Sequence, residues 1–246
     1  RDFSLPSTSI LLNHGDKMLW MANSSNVTGD IKQHPRTWGL NIDIGAHELR
    51  YVACHIAETG VEYPDIQSAM DDVNDGESIY IHPGTYKGTN NVNVIWPSKN
   101  GINLMASPNV GNSLNVVLDA QGNGRHFTMR SGHSWYISEL SMINGAVSPN
   151  YGGSILIDTN DSNCHLELWG VIVSGNSAYH GGAIYSAGVS PHISIFDSKI
   201  IGNKAMAGGA FYNAGKDIWN TLIAENKTEG SSTTAHGGAF MYGDNL

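Results

Sequence analysis

Four times in its second half the chain places two glycines before a small residue and a large apolar one: Gly152-Gly153-Ser154-Ile155, Gly181-Gly182-Ala183-Ile184, Gly208-Gly209-Ala210-Phe211 and Gly237-Gly238-Ala239-Phe240. The first glycines of these pairs lie 29, 27 and 29 residues apart. A period of that length marks a solenoid, in which each repeat is one supersecondary unit that buries its apolar face only against its neighbours. An Asn precedes each pair, at Asn144, Asn176, Asn203 and Asn226, and reaches the first glycine after 8, 5, 5 and 11 residues. Length variation is thus confined to one loop per repeat, where solenoid insertions accumulate. Segments such as His165-Leu166-Glu167-Leu168-Trp169 and His192-Ile193-Ser194-Ile195-Phe196 alternate as strands do. The reading is all-β: a right-handed single-stranded parallel β-helix with a short N-terminal capping helix.

Composition agrees with many turns and little charge, since 29 of the 246 residues are Gly and only 14% are charged. A formal net charge of −9 without any basic run excludes a nucleic-acid groove, whose affinity comes largely from clustered Lys and Arg. Apolar runs such as Ile10-Leu11-Leu12 and Val171-Ile172-Val173 fall far short of the roughly 20 residues that cross a bilayer, so no membrane insertion is expected. The first residues, Arg1-Asp2-Phe3-Ser4, carry no apolar export-signal core. Cys54 and Cys164 match no metal-ligand spacing and read as separate buried thiols rather than a disulfide.

Stacked coils bring equivalent residues to about 4.8 Å, so a side chain repeated at one position becomes a ladder. Asn176 and Asn203 read as such a turn ladder, each Asn tolerating left-handed φ while satisfying buried amides. The pairs Gly181-Gly182, Gly208-Gly209 and Gly237-Gly238 read as corners that need positive φ or close backbone approach. Upstream, Pro64 to about residue 74 reads as an amphipathic helix with Ile66, Ala69, Met70 and Val73 on one face. Ile79-Tyr80-Ile81-His82 follows as a strand and Pro83-Gly84 as a turn, which places the helix over the otherwise unpaired first coil.

These upstream motifs resemble a known family. Asp65-Ile66-Gln67-Ser68-Ala69-Met70, Asp75-Gly76-Glu77-Ser78-Ile79-Tyr80-Ile81 and Pro83-Gly84-Thr85-Tyr86 resemble the N-terminal cap and first coil of pectin-lyase-like β-helix proteins. The stretch from Val117-Leu118-Asp119 through Phe127, Leu140 and Asn144 to Gly182-Ala183-Ile184-Tyr185 is similar to repeats of polymorphic outer-membrane-protein type. Within residues 1–50, Leu5 to Asp16, Asp30, Pro35-Arg36 and Asp43-Ile44-Gly45-Ala46-His47-Glu48 resemble the closing segment of choice-of-anchor-Q β-helix domains. That resemblance implies two parts: residues 1–50 as the end of a preceding module, and residues 51–246 as the β-helix. It also implies a piece of a longer tandem-module protein, with head-to-tail contact between Phe240–Leu246 and residues 1–50 of the next copy or module.

The same resemblance invites a polysaccharide lyase or glycoside hydrolase. A hydrolase needs two carboxyls flanking one bond, and the adjacent acidic pair in the β-helix part, Asp71-Asp72, falls on the polar face of the helix, where solvation explains it. A lyase needs a calcium-carboxylate cluster with a base above it. The one acidic loop, Asp158-Thr159-Asn160-Asp161-Ser162-Asn163, lacks the Gly and Glu that complete an EF-type loop. Asp158, Asn160 and Asp161 are therefore a weak calcium candidate, and no other cofactor is implied. His180 and His236 each precede a Gly pair, two coils apart with Ala207 between, and read as turn histidines. After each first glycine, Ile155, Ile184, Phe211 and Phe240 form one column and Leu156, Tyr185, Tyr212 and Met241 the next, on opposite faces. With the Ile/Phe column inward, Tyr185 and Tyr212 become an outward stacked pair suited to sugar rings or a partner surface. The expected function is an extracellular or cell-surface structural and adhesive protein: a stiff rod that assembles end to end or offers a lateral face to surface glycans. The alternative is a carbohydrate-active β-helix protein, catalytic or only glycan-binding.

Overall fold

A computed structural model of the chain describes residues 52–108, 115–130, 134–159, 161, 163–188, 191–213, 215–229 and 237–241. Residues 1–51 and 242–246 lie outside these, and with them the expected closing segment and head-to-tail contact. The described residues form a parallel β-solenoid of about five turns in which each coil visits three faces in order. The first face stacks Ser78–Ile81, Ile102–Ala106, Ser134–Ser138, His165–Trp169, His192–Phe196 and Gly215–Trp219. On the second lie Gly84–Tyr86, Val116–Asp119, Ser141–Ile143, Ile172–Ser174, Lys199–Ile201 and Leu222–Ala224. The third holds Val94–Trp96, Phe127–Met129, Ile155–Thr159, Ile184–Gly188, Phe211–Tyr212 and Phe240–Met241.

Alternation along each strand decides what enters the core. Ile79, Leu104, Ile137, Leu168 and Ile195 stand in one register column and are buried, as are Val94, Phe127, Ile155, Ile184 and Phe211 on the third face. Like side chains thus pack on like across about 4.8 Å, which lets very short strands build a continuous apolar interior.

Between the second and third faces the chain turns through a buried Asn ladder. Asn176 Nδ2 donates to Asn203 Oδ1 at 2.9 Å, and Asn203 Nδ2 to Asn226 Oδ1 at 2.9 Å. The same oxygens accept the backbone N–H of Asn176 and Asn203, both at 3.0 Å. Each of these buried amides therefore serves main chain and side chain at once. Asn144 is not a rung: Ile143 pairs with Ser174, which sets Asn144 opposite Gly175. The left-handed φ, expected at the ladder Asn itself, falls one residue earlier, at Asn144 (59°), Gly175 (65°), Gly202 (66°) and Glu225 (58°). The Gly pairs divide their work. Gly181 has φ of 61°, whereas a Cβ on Gly182 would lie 2.2 Å from the Gly209 carbonyl oxygen one coil away.

The cap is larger than the sequence suggests. The helix, α1, spans Ile66–Asp72, with Asp65 Oδ1 accepting the Ser68 N–H at 2.8 Å and Ile66, Ala69 and Met70 buried. Beside it, Cys54–Ile56 adds antiparallel to the first face, pairing Cys54 with Ile81, and Glu62–Tyr63 adds to Cys54–Ile56 in turn. The first parallel strand is therefore covered by a hairpin, and the helix packs next to it. Asp71 accepts from Gln67 and Asp72 from the Tyr63 hydroxyl, both on the exposed side of the helix. Cys54 and Cys164 are separate buried thiols, and burial pushes Cys54 up to about 12, with Asp65 adding to the shift.

An imidazole also lies wholly inside. His126 occupies the position that Ser154, Ala183 and Ala210 fill in later coils. Its Nε2 meets the carbonyls of Leu118 at 3.0 Å and Ile143 at 3.2 Å, and its Nδ1 meets Ser154 Oγ at 3.0 Å. Two carbonyl acceptors at Nε2 assign the proton there, leaving Nδ1 to accept from the serine. Burial lowers this imidazole from 6.5 to about 4, against the opposing pull of the two carbonyls.

Two outcomes follow from these contacts. Gly181→Val meets both a left-handed φ and the Ile184 carbonyl, and should cost about 2 kcal/mol or more in thermal unfolding; an unchanged melting temperature would mean that the corner relaxes freely. For His126, the unfolded chain binds a proton below pH 6.5 while the folded chain refuses it until about pH 4. Stability should therefore fall as pH drops through that window, by on the order of 3 kcal/mol, and level off beneath it. His82 and His180 are lowered by burial as well, so His126→Gln should flatten the slope of stability against pH rather than abolish it.

Candidate functional site

With the interior filled, the outward columns are what the molecule can offer to others. On the third face, register places Leu156, Tyr185, Tyr212 and Met241 in line. The rings of Tyr185 and Tyr212 stack with centroids 5.2 Å apart and planes 20° apart. They do not form an open platform. Tyr151, just before a Gly pair, stacks on Tyr185 at 4.6 Å, and His180, at the same place one coil on, leans on Tyr212 at 4.6 Å. Tyr179 meets His180 edge-on at 4.4 Å.

The result is a cluster of interleaved rings that pins the variable turn to the third face and leaves Tyr185 and Tyr212 half-buried. Burial raises the Tyr185 phenol, with Tyr151, Tyr212 and Asp158 adding in that order. Burial lowers His180, whose Nδ1 is enclosed without a hydrogen-bond partner. Sequence reasoning paired Tyr185 with Tyr212 but took His180 for a lone turn residue and passed over Tyr151 and Tyr179. The signal was present, because Tyr151 and His180 both sit immediately before a first glycine.

The acidic loop does not gather its donors. Asp158 points outward to Arg130, Oδ2 to Nε 3.8 Å, while Asp161 Oδ1 accepts the Asn163 N–H at 2.9 Å within the turn. Asn160 lies outside the described residues, and among those described no three His, Cys, Asp or Glu side chains are grouped as metal ligands. Gly237 and Gly238 repeat the corner at the last described coil, Gly237 with φ of 62°.

The more exposed aromatic rings are on the first face. Register aligns Tyr80, Met105, Ser138, Trp169, Phe196 and Trp219 in one outward column. Trp169 is 46% and Trp219 63% exposed, and the rings of Trp169 and Phe196 lie 5.0 Å apart. Two residues back along each strand runs a polar column, Asn103, Tyr136, Glu167, Ser194 and Asp217. At the start of the strands, His165 Nε2 lies 3.0 Å from Ser194 Oγ and His192 Nε2 lies 2.9 Å from Asp217 Oδ2.

Beside Trp169 the surface sinks into a depression of about 240 Å³ lined by Asn103, Met105, Tyr136, Glu139, Glu167 and Trp169 among others. Glu139 comes from the corner after Ser138, where φ is 56°. Its carboxylate lies across Gly170, where any Cβ would sit 2.3 Å from Oε1. The glycine therefore makes room for a carboxylate next to the indole. No ion pair among the described residues engages Glu139 or Glu167.

This aromatic column was missed from sequence although Trp169, Phe196 and Trp219 recur 27 and 23 residues apart, in step with the coils. Compared with known proteins, the chain matches no family model, no curated protein and no solved structure.

The two faces should respond differently to truncation. Changing Tyr185 and Tyr212 together to Ala should cost about 2 kcal/mol in denaturant unfolding, because half-buried stacked rings are lost. Trp219→Ala, which removes a ring lying mostly in solvent, should stay within about 0.5 kcal/mol. Equal losses on both faces would show that the first-face rings are part of the packing.

Proposed function

We propose that the protein is an extracellular or cell-surface structural rod whose first face binds glycans without transforming them. The observation that carries this reading is the column Trp169, Phe196, Trp219, with two exposed indoles two coils apart and the half-buried Phe196 ring between them. A sugar ring has an apolar flat side and a rim of hydroxyls. The indole faces suit the first, and Asn103, Tyr136, Glu167 and Asp217 of the adjacent column supply donors and acceptors for the second. A solenoid whose interior coils are hydrogen-bonded above and below holds such a surface stiff, so little ordering entropy is lost on binding. The likeness of the cap to pectin-lyase-like proteins and of the Gly-Gly repeats to the polymorphic outer-membrane type supports a surface location.

A second reading has its own observation: Glu139 and Glu167 line the same depression beside Trp169, as two carboxyls flanking a glycosidic bond would. On the binding reading, a panel of soluble polysaccharides run through an affinity gel should show one retarding the protein. Trp169→Ala combined with Trp219→Ala should weaken that retardation about tenfold, since an aromatic packing contact is worth about 0.5–1.5 kcal/mol and two are lost. The control Tyr151→Ala should not. Release of reducing ends or unsaturated products, abolished by Glu139→Gln or Glu167→Gln, would establish the enzymatic reading instead.

A further inference from the structure

We infer that the depression beside Trp169 receives the ammonium group of a basic amino sugar, carried in an extended glycan chain that lies along the first face. The inference rests on the glycan-binding reading above and names the sugar class. Its first support is direction. The aromatic column runs from coil to coil, and the 5.0 Å between Trp169 and Phe196 is close to the length of one pyranose. A chain using both rings therefore runs along the solenoid axis rather than across it.

Charge supplies the second support. Glu139 and Glu167 face the depression and are engaged by no cation among the described residues. Gly170 leaves room for the Glu139 carboxylate at that place, since a Cβ there would lie 2.3 Å from Oε1. Two histidines of this face, His165 and His192, stand at the opposite end of their strands, and His192 is already paired with Asp217. An ammonium in the depression meets two carboxylates and the indole face together, each attractive to a cation. A uronate there would set a third carboxylate against the two present. A neutral sugar would leave both carboxylates partly desolvated and uncompensated.

Lysine-rich peptide offers the same ammonium but no flat apolar rings to cover Trp169 and Phe196, so the aromatic column favours sugar. Isothermal calorimetry on the full chain tests the assignment with four probes: a β-1,4-linked glucosamine oligomer, its N-acetylated counterpart, an oligogalacturonate and an oligolysine. The glucosamine oligomer should bind about tenfold more tightly than the N-acetylated one at low ionic strength, from two partly exposed charge pairs. Added salt should shrink that ratio. Glu139→Gln with Glu167→Gln should bring the glucosamine affinity down towards that of the N-acetylated oligomer, and Trp169→Ala should weaken both. Equal or tighter binding of the N-acetylated or uronate oligomer overturns the sugar class while leaving glycan binding intact. Oligolysine binding that outruns glucosamine overturns it in favour of a peptide. If none of the three sugars binds, the glycan reading falls with it.

Discussion

Everything in this molecule depends on parallel hydrogen bonding between successive coils, which sets each residue directly over its equivalent at about 4.8 Å. That constraint turns a single residue choice into a column. An Ile repeated inward becomes a continuous core, an Asn repeated at a corner becomes a ladder of buried amides, and a glycine repeated where carbonyls converge becomes a channel for close approach. It also penalises exceptions, because a misplaced side chain meets a neighbour above as well as below. The Gly182 position shows this: its missing Cβ would strike the backbone of the next coil, not its own turn.

Columns were the legible part of the sequence. The Gly-Gly period fixed the phase of the third face, so the inward Ile155, Ile184 and Phe211 and the outward Tyr185 and Tyr212 followed from alternation alone. The helix over Ile66–Asp72 was readable for a similar reason, since its apolar residues recur at helical spacing behind an Asp cap. Where period or contrast was weak, reading failed. Cys54–Ile56 is three residues long and pairs antiparallel, so no repeat announces it. Asn144 resembles a rung in composition, yet one residue of register moves it onto the left-handed position, where a short polar side chain substitutes for glycine. The first-face aromatics were hidden because Trp169 and Phe196 end strands whose centres already accounted for the pattern.

His126 shows how an early coil meets the same constraint without the repeat. Later coils put Ser154, Ala183 or Ala210 at this position, small enough for the corner to close. Here an imidazole fills the space, and its one N–H serves the Leu118 carbonyl and the Ile143 carbonyl, the second of which also accepts the Ala120 N–H at 3.0 Å. The same burial that makes those bonds strong removes the charged form, so packing, hydrogen bonding and the depressed pKa have one cause.

Corner length explains why one aromatic column is covered and the other is open. Between the second and third faces the loops vary in length, and they carry Tyr151, Tyr179 and His180 back across Tyr185 and Tyr212. Between the first and second faces every corner from Ser138–Ser141 onward has two residues: Glu139-Leu140, Gly170-Val171, Asp197-Ser198 and Asn220-Thr221. A two-residue corner with its first residue left-handed has no chain to spare for folding over the strand before it. Trp169 and Trp219, which end those strands, thus have no local segment from that corner to shelter them, and beside Trp169 the Glu139 side chain reaches across a glycine. The geometry that makes the coils uniform leaves indoles and carboxylates side by side at the surface, and that juxtaposition is what gives the first face its chemistry.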